Sequence, residues 1–378
     1  MKLVTATIYA MRIPLVESFA HSTCERAFCD SIIVKVRDES GAVGFGEGAP
    51  RGYVTGETQA SAMRHIAETL WPSVAQRPME LRSEAPGAFP ELVPDAALEG
   101  AISDGASRCA LELAMLDLAL RTSNASISRL LAPRVATVTY SGVISTGSIA
   151  STARLARQMK LIGMRQVKLK VGSADDVERV RLVREIMGPT VSIRLDANGG
   201  WTFDQAVSSI RRLSAFGLAC VEQPIARGTC AELAMLRRYV QVPIMADESM
   251  VTIEDARRLI VTNAVDYFNI RVSKCGGLAR SLKIARLAER AGVRVQIGSH
   301  VGETAILSAA GRHLAASLRK VDFVEGSYGT MLLTEDLTSD AIRFGHRGEA
   351  PILSGTGLGI RIIEDRIARY ATEVVTLS

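Results

Sequence analysis

Eight short β-rich runs recur at near-constant intervals between residues 137 and 325. They are Thr137 to Ile144, Gln166 to Val171, Val191 to Asp196, Ala219 to Glu222, Pro243 to Ala246, Asp266 to Arg271, Val293 to Gly298 and Val321 to Glu325. Successive run ends lie 24 to 27 residues apart, which is the room that a strand, a turn, a helix and a second turn require. The stretches between them, such as Ala174 to Met187, Thr202 to Phe216 and Leu278 to Ala291, repeat apolar residues at helical intervals. Eight parallel strand–helix steps close a barrel. The alternative is an open doubly wound sheet, which usually has fewer strands and a Gly-rich fingerprint after the first one. No such fingerprint follows Ile144.

The first third reads differently. Val4 to Pro14 alternates like a strand, and Asp30 to Val36 and Ala42 to Glu47 flank the turn Asp38-Glu39-Ser40-Gly41 as a hairpin. Helical patterns follow at Glu57 to Leu70 and at Ala96 to Arg121, with a Pro-rich connector from Pro78 to Pro94. Strands followed by helices make an α+β unit. The tail ends in another strand-like run, Glu373 to Leu377. The expected organisation is an α+β unit over residues 1–130, completed by about 350–378, and a barrel over 131–349.

Composition removes several classes of function. With 45 Lys and Arg against 40 Asp and Glu, the net charge is +5, and no basic block gathers the excess. Nucleic acid is therefore not an expected partner. No apolar run reaches the roughly 18–20 residues of a membrane helix, and the N-terminus lacks the apolar block of a signal peptide. The six cysteines, at 24, 29, 109, 220, 230 and 275, form no metal-type pairs. They are expected as reduced thiols of a cytoplasmic protein.

Chemistry in such a barrel sits at the C-terminal strand ends. Strand two ends in Lys168-Leu169-Lys170, strand three in Asp196-Ala197-Asn198, strand four in Glu222-Gln223-Pro224 and strand five in Asp247-Glu248-Ser249; Lys274 follows strand six. Three carboxylates on neighbouring strands, Asp196, Glu222 and Asp247, repel one another unless a cation neutralises them. A hard divalent ion, Mg²⁺ or Mn²⁺ in its place, suits oxygen donors. The plainer alternative is that these acids cap the following helices. Lys168 and Lys170 alternate, so both face one side, and the barrel interior is the expected side. Two adjacent ammonium groups lower each other's pKa, which makes one usable as a base. Outward lysines, with Val167, Leu169 and Val171 inside, are the alternative. For Lys274 it is a solvated loop.

At these residues the sequence resembles the muconate-lactonizing subgroup of the enolase superfamily. The matching motifs are VKLKVG (167–172), RLDANGGW (194–201), VEQPI (221–225), ADES (246–249) and NIRVSKCGGL (269–278). GAVGFGEGAP (41–50) and VTGET (54–58) resemble that family's capping domain. The resemblance implies an α/β fold, a modified TIM barrel of (β/α)₇β form with an α+β capping domain made from both chain ends. It implies one Mg²⁺ on Asp196, Glu222 and Asp247, and lysine acid/bases at Lys170 and Lys274 assisted by Lys168. The implied reaction removes the proton α to a carboxylate and passes through an enediolate. Two opposed bases give racemisation or epimerisation, whereas one base gives cycloisomerisation or syn-elimination. A non-enzymatic binding protein is the remaining alternative, and the survival of all five residues argues against it.

Substrate contacts are expected from the flap, Phe19 to Arg26, and from the loop Arg51 to Thr55, including Tyr53. Arg26 and Arg51 are candidates for a second substrate anion, with a solvent-facing position as the alternative for each. His300, just past strand seven, is either a substrate contact or a rim residue. VTGET resembles dipeptide epimerases, which carry Asp-x-Asp after strand eight. Here that segment is Val324-Glu325-Gly326-Ser327-Tyr328-Gly329, so Glu325 or Glu303 stands in or the substrate lacks an ammonium. The expected partner is a small carboxylate, a dipeptide, an N-acylated amino acid or a muconate-like diacid, bound by a homo-oligomer.

Overall fold

A computed structural model of the chain describes residues 1–21, 24–75, 77–79, 81, 89–94 and 103–378, with backbone alone at 18–21, 24 and 25. The N-terminal part runs β1 (Leu3–Met11), β2 (Ile13–His21), β3 (Cys24–Cys29), β4 (Ile32–Asp38) and β5 (Val43–Gly48), then α1 (Gln59–His65), α2 (Trp71–Ala75) and α3 (Gly105–Thr122). The C-terminal strand Ala371–Leu377 lies antiparallel beside β1, giving a four-stranded sheet whose other members are β4 and β5. The strand expected from Val4 to Pro14 ends early. The chain leaves the sheet at Arg12, whose N–H turns to Tyr370 O at 2.9 Å, and Ile13 begins the separate β2–β3 hairpin. Only the backbone of that expected flap is described, apart from Arg26, and Ser22 and Thr23 lie outside the described residues. The helix expected from Ala96 is described from Gly105, residues 95–102 lying outside the described set. Glu57 accepts the Ala106 and Ser107 N–H groups at 2.9 and 3.0 Å and so caps its first turn.

Helix α3 is buried from Gly105 to Leu120. One face, including Leu111, Met115 and Leu118, packs against β1 and β4; the other, including Leu113, Leu116 and Leu120, joins the barrel core. It lies directly on β5 because alternate residues there are Gly44, Gly46 and Gly48. A Cβ at Gly46 would come within 2.0 Å of Ala110 O. The glycines thus let a helix backbone touch a strand.

The barrel begins after α3. The single strand expected from Thr137 to Ile144 is two, β6 (Thr137–Thr139) and β7 (Gly142–Ile144). β6 turns away to pair antiparallel with Glu349–Pro351, and β7 opens the barrel. The strands that follow are β8 (Gln166–Lys170), β9 (Ser192–Asp196), β10 (Leu218–Glu222), β11 (Ile244–Ala246), β12 (Tyr267–Arg271), β13 (Arg294–Gly298) and β14 (Phe323–Val324). They are parallel and adjacent in chain order, and Ser141 N donates to Val324 O at 2.8 Å across the seam between first and last. Seven helices alternate with them: α4 (Ile149–Ile162), α5 (Asp176–Met187), α6 (Phe203–Leu213), α7 (Cys230–Tyr239), α8 (Ile253–Val261), α9 (Leu278–Ala291) and α10 (Ala305–Ser317). No helix among the described residues is long and apolar enough to cross a membrane.

Two buried carboxylates dock the N-terminal unit on the barrel. Glu47 of β5 accepts from Thr304 N, Thr304 Oγ1 and Leu307 N at 2.9, 2.7 and 3.0 Å, at the start of α10. Glu112 of α3 accepts from Leu278 N and Ala279 N at 2.6 and 3.2 Å, at the start of α9. Each satisfies helix N–H groups and meets the positive end of the helix dipole. Both helices begin at the C-terminal end of the strands, so the N-terminal unit covers the mouth.

Two outcomes follow for stability. Gly46→Ala is expected to cost about 3 kcal/mol or more, because backbone rather than a flexible side chain must move; urea unfolding measures it. Burial pushes the Glu112 carboxyl up to about 7, against the pull of Arg108 and the two N–H groups. A folded-state value above the unfolded one adds stability that is full below about pH 4.5 and fades as pH rises to about 7. Unfolding of Glu112→Gln is therefore expected to depend less on pH than that of the native chain across this window.

Candidate active site

The strand register sets the site. Lys170 pairs with Asp196 across β8 and β9, and Asp196 with Glu222 across β9 and β10, so three ionisable groups share one level. Asp247 stands two residues beyond the Glu222–Met245 pairing. Asn198 and Gln223, the residues that leave β9 and β10, have φ of 46° and 35°. Non-glycine residues in that region store strain, which clusters at functional sites. Gln223 converts it into order: its Oε1 accepts Asp247 N and Ser249 N at 3.0 and 3.1 Å.

Lys168 and Lys170 both face the interior, and their ammonium groups are met by acids. Lys168 Nζ lies 2.8 Å from Glu325, 3.3 Å from Asp196 and 3.4 Å from Glu222. Lys170 Nζ donates to Asn198 Oδ1 at 2.6 Å and lies 3.4 Å from Asp196. The expectation that neighbouring lysines depress each other's pKa fails for Lys168. Burial opposes its charge, but Glu222, Glu325 and Asp196 outweigh burial and raise it. Asp196 is held well below the usual carboxylate range, burial notwithstanding, by Lys170 and Lys168. Glu222 goes the other way. Burial and the neighbouring carboxylates push it up to about 7 although Lys168 stands beside it.

As placed, Asp196, Glu222 and Asp247 do not close on one point, and no three acidic, His or Cys side chains among the described residues do. Cations are drawn in between. Lys168 spans Asp196 and Glu222, while Arg271 contacts Asp247 and lies 3.6 Å from Glu222. The donor set nevertheless fits a hard divalent ion: three buried carboxylates on successive strands, the middle one pushed up first by burial and then by the carboxylates around it, so that a cation there would favour its charged form. Asn269 and Gln296, neither singled out in the sequence, orient Glu222 through bonds of 2.8 and 3.2 Å.

Lys274 is fully buried against the carboxylate cluster, with Nζ bonded to Asp247 O, Asp247 Oδ1 and Asn269 O at 2.8, 2.8 and 2.7 Å. Three expected substrate contacts are engaged by protein groups. Glu325 spans Lys168 and Arg194, at 2.8 and 2.7 Å. Arg51 bonds Pro50 O and Val301 O at 2.7 and 2.8 Å and lies 3.2 Å from Asp30, which Arg26 also grips at 2.6 Å. Tyr53 stands on the rim, 43% exposed. His300 is buried beside Arg271, at 3.3 Å. Arg271 was missed, yet the alternation that singled out Lys168 and Lys170 also puts Asn269 and Arg271 on one face.

A closed eight-stranded barrel with acids and lysines at the strand ends under an α+β cap defines a class of isomerase. Residues 151–366 match the family described as enolase C-terminal domain-like, and the chain belongs to that family. It is 31% identical to an N-succinyl-L-Arg/Lys racemase of Bacillus cereus, over 97% of each chain, and 30% identical to a chloromuconate cycloisomerase of a Pseudomonas species, over 90% of each. The crystal structure of a dipeptide epimerase from Cytophaga hutchinsonii, complexed with Mg and the dipeptide D-Ala-L-Val, superposes with a TM-score of 0.85 at 26% identity over the whole of both chains. The muconate-lactonizing resemblance in the motifs thus holds over the full length.

Glu325→Gln separates two roles for this acid. Left without their shared partner, Lys168 and Arg194 are buried cations, so the expected loss is about 3–5 kcal/mol in urea unfolding. A pure substrate contact would leave stability unchanged and raise only KM.

Proposed function

We propose that the chain removes the proton α to a substrate carboxylate and racemises or epimerises an N-acylated amino acid. Lys170 is the base on one face, Lys274, four strands round the barrel, returns the proton on the other, and Asp196, Glu222 and Asp247 hold Mg²⁺ or Mn²⁺. The observation that carries this reading is the single level shared by Lys170, Asp196 and Glu222 on adjoining strands. An ion held there would supply positive charge for the carboxylate and for the charge that grows on its oxygens as the proton leaves. Lys168, kept protonated by Glu325, Glu222 and Asp196, is a fixed donor beside it. Lys170 receives the proton at Nζ, and Asn198 aims that nitrogen. The acylated nitrogen follows from Glu325: bound by Lys168 and Arg194, it is not offered to an ammonium. The racemase and epimerase relatives support the racemisation outcome.

Cycloisomerisation of a muconate-type diacid, or syn-elimination, is the second reading. Each needs proton transfer on one face only, and the burial of Lys274 under Asp247 favours it.

Incubation with Mg²⁺ in D₂O, using dipeptides, N-acyl amino acids and muconates, tests both. Racemisation places deuterium at the α-carbon of recovered, inverted substrate; cycloisomerisation yields a lactone carrying one deuterium. Lys170→Ala is expected to slow exchange by about 10²- to 10⁴-fold, and chelation to abolish it until Mg²⁺ is restored. Exchange in none of these compounds would overturn the reading.

A further inference from the structure

The groups that the sequence offered for the far end of a substrate are engaged elsewhere. Arg26 and Arg51 share Asp30, and Arg51 also binds two backbone carbonyls. Glu325 is taken up by Lys168 and Arg194. Arg271 and His300 are the pair that stands across the mouth. β12 lies four strands round the barrel from β8, so Arg271 faces Lys170 from the opposite wall.

The hydrogen bond between them fixes the imidazole. Arg271 Nη1 lies 3.3 Å from His300 Nδ1, and a guanidinium only donates. Nδ1 is therefore the acceptor, and the ring proton sits on Nε2. Burial, then the charges of Arg271 and Arg51, also disfavour a second proton on the ring. His300 is 2% exposed and Arg271 7%, and both His300 Nε2 and Arg271 Nε are buried donors without a partner among the described residues. Buried N–H groups are ordinarily satisfied, so two orphans on hydrogen-bonded neighbours call for an acceptor.

The charge of the mouth indicates which acceptor. The cations Lys168, Lys170, Arg194, Arg271 and Lys274 lie among the carboxylates Asp196, Glu222, Asp247, Glu248 and Glu325, and His300 itself faces the positive groups of Arg271 and buried Arg51. An anionic acceptor suits donors in that setting. A divalent ion on the candidate ligands also competes with Arg271 for Asp247 and Glu222, the carboxylates that Nη2 contacts.

We propose that Arg271 and His300 form a subsite for a second carboxylate of the substrate, on the wall opposite Lys170. This rests on the reading that the first carboxylate lies at the metal. Arg271 supplies charge and donors, and the neutral imidazole adds a donor without a further charge. Arg271 is then a specificity residue, and His300 positions it while contributing its own N–H.

Calorimetric titration of the Mg²⁺-loaded enzyme with two achiral probes tests this. N-succinylglycine carries the second carboxylate, and N-acetylglycine lacks it. The expected result is at least tenfold tighter binding of the diacid, lost in Arg271→Gln and partly regained in Arg271→Lys, while in His300→Leu the N-acetylglycine affinity changes less than twofold. His300→Leu, which leaves the carboxylate cluster untouched, is expected to cost the diacid about fivefold and decides the matter if Arg271→Gln fails to fold or to bind Mg²⁺. Equal affinity of the native enzyme for the two probes, or equal losses for both in His300→Leu, overturns the subsite but spares the metal reading. Failure of the native enzyme to bind either probe overturns both.

Discussion

The rest of the site depends on Glu222 being kept ionisable at the bottom of a barrel. It is fully buried among other acids, and burying a carboxylate costs several kcal/mol unless it is paired and hydrogen-bonded. Four neighbours share that burden. Asn269 and Gln296 donate to its oxygens, and Lys168 and Arg271 bring charge. They come from three strands, β8, β12 and β13, so the acid can exist only in a closed barrel with these strands in this register. The site is thus a condition on the fold as much as a product of it.

Closure of the mouth by the N-terminal unit uses the same physics. Glu47 and Glu112 are buried acids whose partners are the N–H groups opening α10 and α9. Those helix starts lie beside the strand ends that carry the candidate catalytic groups. The contacts that dock the cap therefore also hold the loops leading from Arg271 and His300, and rigid placement of catalytic groups requires such support.

The barrel was legible because its period is imposed by geometry: each strand–helix step needs the same length of chain, and the eight runs recorded it. That Lys168, Lys170 and the three acids come together was legible because strand ends are where side chains meet. What stayed hidden depended on partners distant in sequence. Glu325 reads as a free acid until Lys168 and Arg194 are brought to it from two other strands. Lys274 reads as a solvated loop residue or a base until Asp247, from another strand, is seen to hold its ammonium. Arg271 was recoverable, since it alternates with Asn269 on the strand that ends just before Lys274. The split of 137–144 into two strands was not, because β6 is drawn off by residues 349–351 from the far end of the chain.

The strand β5 serves two neighbours at once. Its even-numbered glycines at 44, 46 and 48 meet α3, and the intervening Glu47 projects to the opposite side and reaches α10. Side chains on a strand alternate with a period of two, so the insertion of one residue before Gly44 would exchange the two faces. A carboxylate would then press on the α3 backbone, and glycine would confront the uncapped N–H groups of α10. The segment can accordingly tolerate change in what it carries but not in how it is counted: its parity, rather than any single side chain, keeps lid and barrel together.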